Sequence, residues 1–213
     1  MVFFSSERSN LPLKATSAGR ALLVLCLCFG VFAEAPAWSR DDSEIDRLKA
    51  RAEERPQDSR LQFNLGVKLM AAKRFEEAVE ANQRATEADP NLAQAWYNLG
   101  LAFQNLNRWE EAANAYKQAT EVKPDYQEAF MNLGASYQHQ KLAQEAADAY
   151  RTAAQLNPDD VEAQFGLAWM LLYLKDNAAA AEQYKVLAAF DKARADNLYN
   201  QYKKENSEEP PVP

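Results

Sequence analysis

The sequence predicts an all-α protein, a solenoid of stacked helix pairs with capping helices at its ends, and three observations carry that prediction. The first is composition: 47% of the 213 residues are apolar and 11% aromatic, enough to bury a core, yet the chain has six glycines. Turn-rich β architectures need more glycine, whereas alanine, abundant throughout, costs least in a helix interior. The second is a fixed step of 34 residues, followed by Gly66, Gly100 and Gly134 (then Ala168), by Leu65, Leu99, Leu133 and Leu167, by Pro56, Pro90, Pro124 and Pro158, and by Ala78, Ala112, Ala146 and Ala180. Four residue types in one register mark an internal repeat, and a repeat of this length builds a stacked array. The third is that the outer copies are the least regular, as expected where the ends of a stack face water instead of a neighbour.

From the N-terminus, residues 1–20 carry Arg8, Lys14 and Arg20 against one acid, Glu7. An uncharged run from Ala21 to Ala33 follows, and then small residues at Ala35 and Ala37. Basic segment, apolar segment and small-residue site together predict a secretory signal peptide over 1–37, cleaved after Ala37 or, as a second choice, after Ala33. A spanning helix needs roughly 20 apolar residues, so an uncleaved anchor, the sole route to a membrane here, is the lesser alternative. Cys26 and Cys28 read as apolar members of that run, so cleavage would leave a chain without cysteine and without disulfide chemistry. The expected destination is an exported one, a periplasm or equivalent lumen, or full secretion.

Residues 38–58 read as an N-terminal capping helix, because Ile45, Leu48 and Ala52 recur at helical spacing. The array proper covers 59–190, in units 59–92, 93–126, 127–160 and 161–190. The second unit reads Trp96-x-x-Leu99-Gly100-x-x-Phe103, then Ala112, Tyr116, Ala119 and Pro124. The third reads Phe130, Leu133-Gly134, Tyr137, Ala146, Tyr150, Ala153 and Pro158. This pattern resembles the tetratricopeptide repeat, and the resemblance implies a right-handed α-solenoid of helix-turn-helix units. Small residues at the eighth and twentieth positions let the two helices of a unit approach, and proline ends the second helix. The first unit departs from the pattern at Gln62 and Asn82, the fourth at Gln164, Ala168 and Leu187. Residues 191–205, with Leu198, Tyr199 and Tyr202 on one side, read as a C-terminal capping helix; 206–213 is polar, Pro-rich and expected to be disordered.

By the same resemblance, the first helix of each pair lines a concave groove, and the residues facing it are the candidates for binding. Asn64, Asn98 and Asn132 form a column, one per repeat, each just before Leu-Gly. An amide both donates and accepts, so such a column can pair with a peptide backbone of any sequence; it is also common consensus in this family. Phe63, Tyr97, Leu101, Met131, Phe165 and Trp169 supply an apolar floor, and Gln104 and Gln138 its polar edge. Aromatic and Met anchors are the types that dominate binding hot spots. Phe165 and Trp169 have two readings, an open pocket or packing under the C-terminal helix.

The formal charge of −7 and the absence of a basic stripe argue against nucleic-acid binding. His139 is the one histidine, and the glycines stand singly, so no His-based triad motif, Cys/His metal set or phosphate-cradling loop is written here. No enzyme, cofactor or metal is expected. The acidic pairs Glu76-Glu77 and Glu110-Glu111 open the second helices, where they oppose the helix dipole. Relatives that clasp chaperone C-termini use Lys and Arg beside the Asn positions; Arg60 stands alone in this groove, which speaks against that partner class. What remains is a protein-interaction scaffold or assembly factor holding a peptide segment of an exported partner. The alternative is a self-associating structural protein of the cell envelope, a homo-oligomer, motivated by the need to cover Trp169, Leu172 and Tyr173.

Overall fold

A computed structural model describes residues 37–206; the segment 1–36, on which the expected signal peptide and both cysteines fall, and the tail beyond Asn206 lie outside the described residues. The chain divides between Asp42 and Ser43, and of the first unit only the opening of one helix is described. Among the described residues there are nine helices: α1 (Ala37–Glu54), α2 (Ser59–Ala71), α3 (Phe75–Ala88), α4 (Ala93–Asn105), α5 (Trp109–Val122), α6 (Gln127–His139), α7 (Ala143–Leu156), α8 (Val161–Tyr173) and α9 (Asn177–Asn206). Each of α2 to α9 packs on its neighbour in sequence, and first helices of successive pairs also touch, α2 on α4 and α6 on α8. The protein is an all-α array of stacked helix pairs. No described helix is long and apolar enough to cross a membrane.

Small residues set the spacing within a pair. The Ala78, Ala112, Ala146 and Ala180 register is fully buried in all four units. At Gly100 a Cβ would stand 2.5 Å from Cε1 of Tyr116, so α4 and α5 can meet only if that position has no side chain. Gln62 and Gln164, which break the aromatic pattern, have a job of their own. Trp96 donates its indole N–H to the Pro90 carbonyl at 2.9 Å, and Gln164 donates its amide to the equivalent Pro158 carbonyl at 2.8 Å. Gln62 does the same toward Ala52 at the end of α1, at 3.1 Å. Glutamine thus replaces the polar half of tryptophan and forgoes its bulk.

The turns inside the pairs repeat as closely as the helices. Lys73, Asn107, Lys141 and Lys175 all adopt left-handed backbone, with φ of 58°, 58°, 63° and 57°. At each, the left-handed residue and the one after it donate back across the end of the first helix, as in Lys73 N–H to Met70 O and Arg74 N–H to Leu69 O, at 3.0 and 2.9 Å. This is the Schellman closure, here in all four turns without the glycine that normally supplies it. The second helices end differently: Asp89, Lys123 and Asn157 are extended, as residues before proline must be.

Both ends are closed by helix. Ile45 and Ala52 of α1 are buried in the core, and Lys49 and Lys68 ion-pair with Glu77 and Glu44 respectively, which fastens α1 to α3 and α2. At the other end α9 bends at Asp191, whose backbone is non-helical and whose carboxylate accepts from Arg194 N–H at 2.9 Å. Asp191 therefore acts as the N-cap of a second arm. That arm buries Leu198, Tyr199 and Tyr202 in one cluster with Ala180 and Leu187 of the first arm. Leu172, expected to need cover from a second copy, is only 2% exposed because the two arms of α9 complete the core around it. That part of the motive for self-association is removed; Tyr173 remains 62% exposed.

Candidate functional site

The fifth position of one first helix and the sixth of the next come together across the seam between the second and third repeats, and again between the third and fourth. The two seams at the C-terminal half differ in what they hold. Between the second and third repeats the pair is Tyr97 and Asn132, and the Asn132 amide donates to the Tyr97 hydroxyl at 3.1 Å. Tyr97 also lies 5.0 Å from the Tyr126 ring and 5.7 Å from that of Tyr116, while Lys123 Nζ sits 4.5 Å over Tyr126. Burial raises the hydroxyl pKa of Tyr97, and that of Tyr126 to about 12, so both stay protonated donors at neutral pH. This seam is filled by its own side chains.

Between the third and fourth repeats the equivalent pair is Met131 and Gly166. Replacing Tyr and Asn by Met and Gly leaves a cavity of about 390 Å3, lined by Met131, Gln138, Tyr150, Phe165, Gly166 and Trp169 with Glu162 at its edge. Gly166 is required by its surroundings: a Cβ there would stand 2.8 Å from the Tyr150 ring, and one at Gly134 would stand 2.9 Å from the same ring. The ring thus lies shared between the two repeats. Beyond Phe165 lies a second depression of about 280 Å3, where Arg194 and Leu198 of the α9 arm join Glu162. Arg194 pairs with Glu162 and sits 5.6 Å above the Phe165 ring. Both readings of Phe165 therefore hold in part, since it touches the capping arm and also walls an open cavity.

The remaining candidates fall out as follows. Met131, Gln138 and Trp169 are brought together around the cavity, and Tyr97 is joined to Asn132. Gln104 and Gln138 are less free than expected: Gln104 Oε1 accepts the Tyr116 hydroxyl at 2.7 Å and Gln138 Oε1 that of Tyr150 at 3.1 Å. One lone pair of each carbonyl is thus taken up inside the repeat, which leaves the amide N–H groups and the second lone pair for a ligand. Leu101 is half-buried against the core. Asn64 is exposed and Asn98 half-buried, two repeats and one repeat away from the cavity respectively, with Phe63 beside Asn64. The sequence singled out the asparagine column but not its interruption at Gly166, although that break is itself the signal for the cavity. Glu77 and Glu111 do more than face a helix dipole. Each pairs with the arginine three residues before it, Arg74 and Arg108, at 2.6 and 2.7 Å.

Compared with known proteins, the chain matches a tetratricopeptide repeat model over residues 97–160 and 144–197, and a second TPR repeat model over residues 66–107. No curated protein sequence matches it. Among solved structures it is similar to YrrB, described as a TPR protein with an unusual peptide-binding site, at 18% identity and a TM-score of 0.62, covering 76% of this chain and 93% of that one. It is similar to the MamA protein at 20% identity and a TM-score of 0.66, covering 74% of this chain and 86% of that one. It is also similar to the first TPR of Spaghetti (RPAP3), solved with the HSP90 peptide SRMEEVD, at 22% identity and a TM-score of 0.53, covering 56% of this chain and 94% of that one. At these identities the likeness concerns the fold.

Proposed function

The chain is a tetratricopeptide-repeat protein, and we propose that it works as a non-enzymatic scaffold or assembly factor that holds a peptide segment of an exported partner against the first-helix face. The observation that carries this reading is an open apolar cavity on the first-helix face, with the Asn98 amide on the same face and the Asn132 amide, one N–H of which is given to the Tyr97 hydroxyl, between them. The amides would hold an extended backbone in register whatever its side chains, and the cavity would take one of them. Repeat proteins of this family bind proteins and peptides; YrrB is described as doing so, and the RPAP3 repeat domain was solved with one bound. The exported setting is read from the basic, apolar and small-residue succession over 1–37.

The test is co-purification of the mature chain from its native compartment, wild type beside the Asn98→Ala, Asn132→Ala double variant, with mass spectrometry of what each retains. Partners kept by wild type and lost by the double variant are the expected result. Partners kept equally by both would move the interaction off this face and overturn the reading.

A second reading, self-association, is favoured by one observation. Val186 and Phe190, one turn apart on the first arm of α9, are 40% and 47% exposed, and Tyr173 is exposed nearby in sequence. A second copy covering that face would bury them. A monomeric mass at high concentration by sedimentation would exclude it.

A further inference from the structure

The seam between the third and fourth repeats differs from the one before it in a way that specifies a ligand. Positions five and six across successive seams are Phe63 with Asn98, Tyr97 with Asn132, and Met131 with Gly166. At the middle seam the two side chains bond each other and close the gap. At the last seam neither residue can do so. The resulting cavity of about 390 Å3 falls within the roughly 300–1,000 Å3 range of pockets that bury most of what they bind. Its walls are two aromatic rings, Phe165 and Trp169, a methionine thioether and the face of Tyr150.

We infer that this cavity is the specificity pocket of the groove, and that the segment it selects carries one bulky apolar side chain, aromatic or of Leu or Met size, in a stretch free of acidic residues. The inference rests on the groove-binding reading given above. Size and lining argue for the anchor. A flat ring or a long aliphatic chain makes the contacts that Tyr97 makes one seam earlier, and a side chain ending at Cβ leaves most of the volume empty. Sulfur and ring edges adapt to either shape.

Charge argues for the flanks. The charged groups presented by α6 and α8 along this stretch are carboxylates, Glu128 in the first turn of α6 and Glu162 in the first turn of α8. Arg194 at the edge is already paired to Glu162 and, more distantly, Asp191. An acidic segment would face like charge from Glu128 and Glu162, both exposed, so the repulsion is strongest at low salt. A neutral or basic one would not. The acidic peptide SRMEEVD, which the RPAP3 domain was solved with, is therefore a suitable negative probe.

The experiment is selection of a phage-displayed random dodecapeptide library on the mature wild-type chain. The enriched peptides are then synthesised and their Kd measured by fluorescence anisotropy against wild type, Met131→Tyr, Trp169→Ala and Asn98→Ala, each first checked for helical content by circular dichroism. Met131→Tyr fills the cavity and Trp169→Ala strips one wall, so one variant tests the space and the other the lining. The expected result is a consensus with one bulky apolar position and no acids. Changing that residue to Ala weakens binding about tenfold or more, Met131→Tyr weakens it comparably, and SRMEEVD fails to compete. Peptides that tolerate Ala at every position, or that bind Met131→Tyr and Trp169→Ala as well as wild type while losing affinity for Asn98→Ala, overturn the pocket and leave the groove standing. No enrichment, or enrichment indifferent to all three variants, overturns both.

Discussion

Tyr116 and Tyr150 each give a hydroxyl to a glutamine on the preceding helix, and where that glutamine is absent the tyrosine is absent or turns elsewhere. In the first repeat the acceptor position holds Met70 and the tyrosine position Asn82, whose own amide bonds Ala78 O at 2.8 Å. In the fourth it holds Leu172, and Tyr184 bonds Asp196 of the α9 arm instead. The two positions behave as one unit, and a double-mutant cycle should find it so. Gln104→Ala leaves the Tyr116 hydroxyl buried without its partner and should cost about 1–2 kcal/mol. Tyr116→Phe should cost less, and the coupling read from urea unfolding of both singles and the double should be about 1 kcal/mol. Near-zero coupling would return Gln104 to the ligand alone. Glu77 gives a second prediction. Hydrogen bonds from Arg74, with a further one from Lys49, bring its carboxyl from 4.5 down to about 2. Because the folded value is depressed, this pairing contributes fully above pH 4.5 and is lost as pH falls through about 2. Glu77 is 38% exposed, so screening holds the contribution to about 1 kcal/mol or less. Glu77→Gln should flatten the stability-versus-pH profile in that window and nowhere else; an unchanged profile would remove Glu77 from the account.

At the scale of the element, the left-handed turns are the unexpected feature. Three of the four residues there are lysines, Lys73, Lys141 and Lys175, which gain nothing from φ near 60°. A left-handed L-residue costs about 1–2 kcal/mol, and glycine's greater freedom when unfolded returns about 0.5–1 of that. Lys141→Gly should therefore stabilise by about 0.5–1 kcal/mol, read from the urea midpoint, while Asn107→Gly should give less because asparagine already tolerates this backbone. Destabilisation by Lys141→Gly would mean that the lysine side chain contributes more than its backbone costs. These turns were hidden in the sequence because the usual mark of a left-handed residue, Gly or Asn, stands at only one of the four. The helices themselves were legible, since the small residues at positions eight and twenty must recur wherever two helices touch. What could not be read was which side chains meet across a seam. The Tyr97–Asn132 bond joins residues 35 apart, one more than the repeat. A column of asparagines seen in sequence does not reveal that one of them already has a partner.

At the scale of the molecule, the array is closed at both ends by its own chain. The α9 arm beyond Asp191 buries Leu198, Tyr199 and Tyr202 over the fourth repeat. Removing 192–213 should expose Leu187 and Ala180, lower the thermal midpoint and promote aggregation measurable by light scattering; a truncated chain that melts like the full one would deny the arm its capping role. The central claim is that a partner segment lies along the first-helix face. The most direct measurement is site-specific photo-crosslinking in the native compartment. A photoreactive residue is placed at Val67, exposed on α2, or at Lys117, exposed on α5. Crosslinking of a partner from Val67 but not from Lys117, abolished when Asn98→Ala and Asn132→Ala are added, is the predicted result. Crosslinking from Lys117 with none from Val67 would place the partner on the second helices and contradict it.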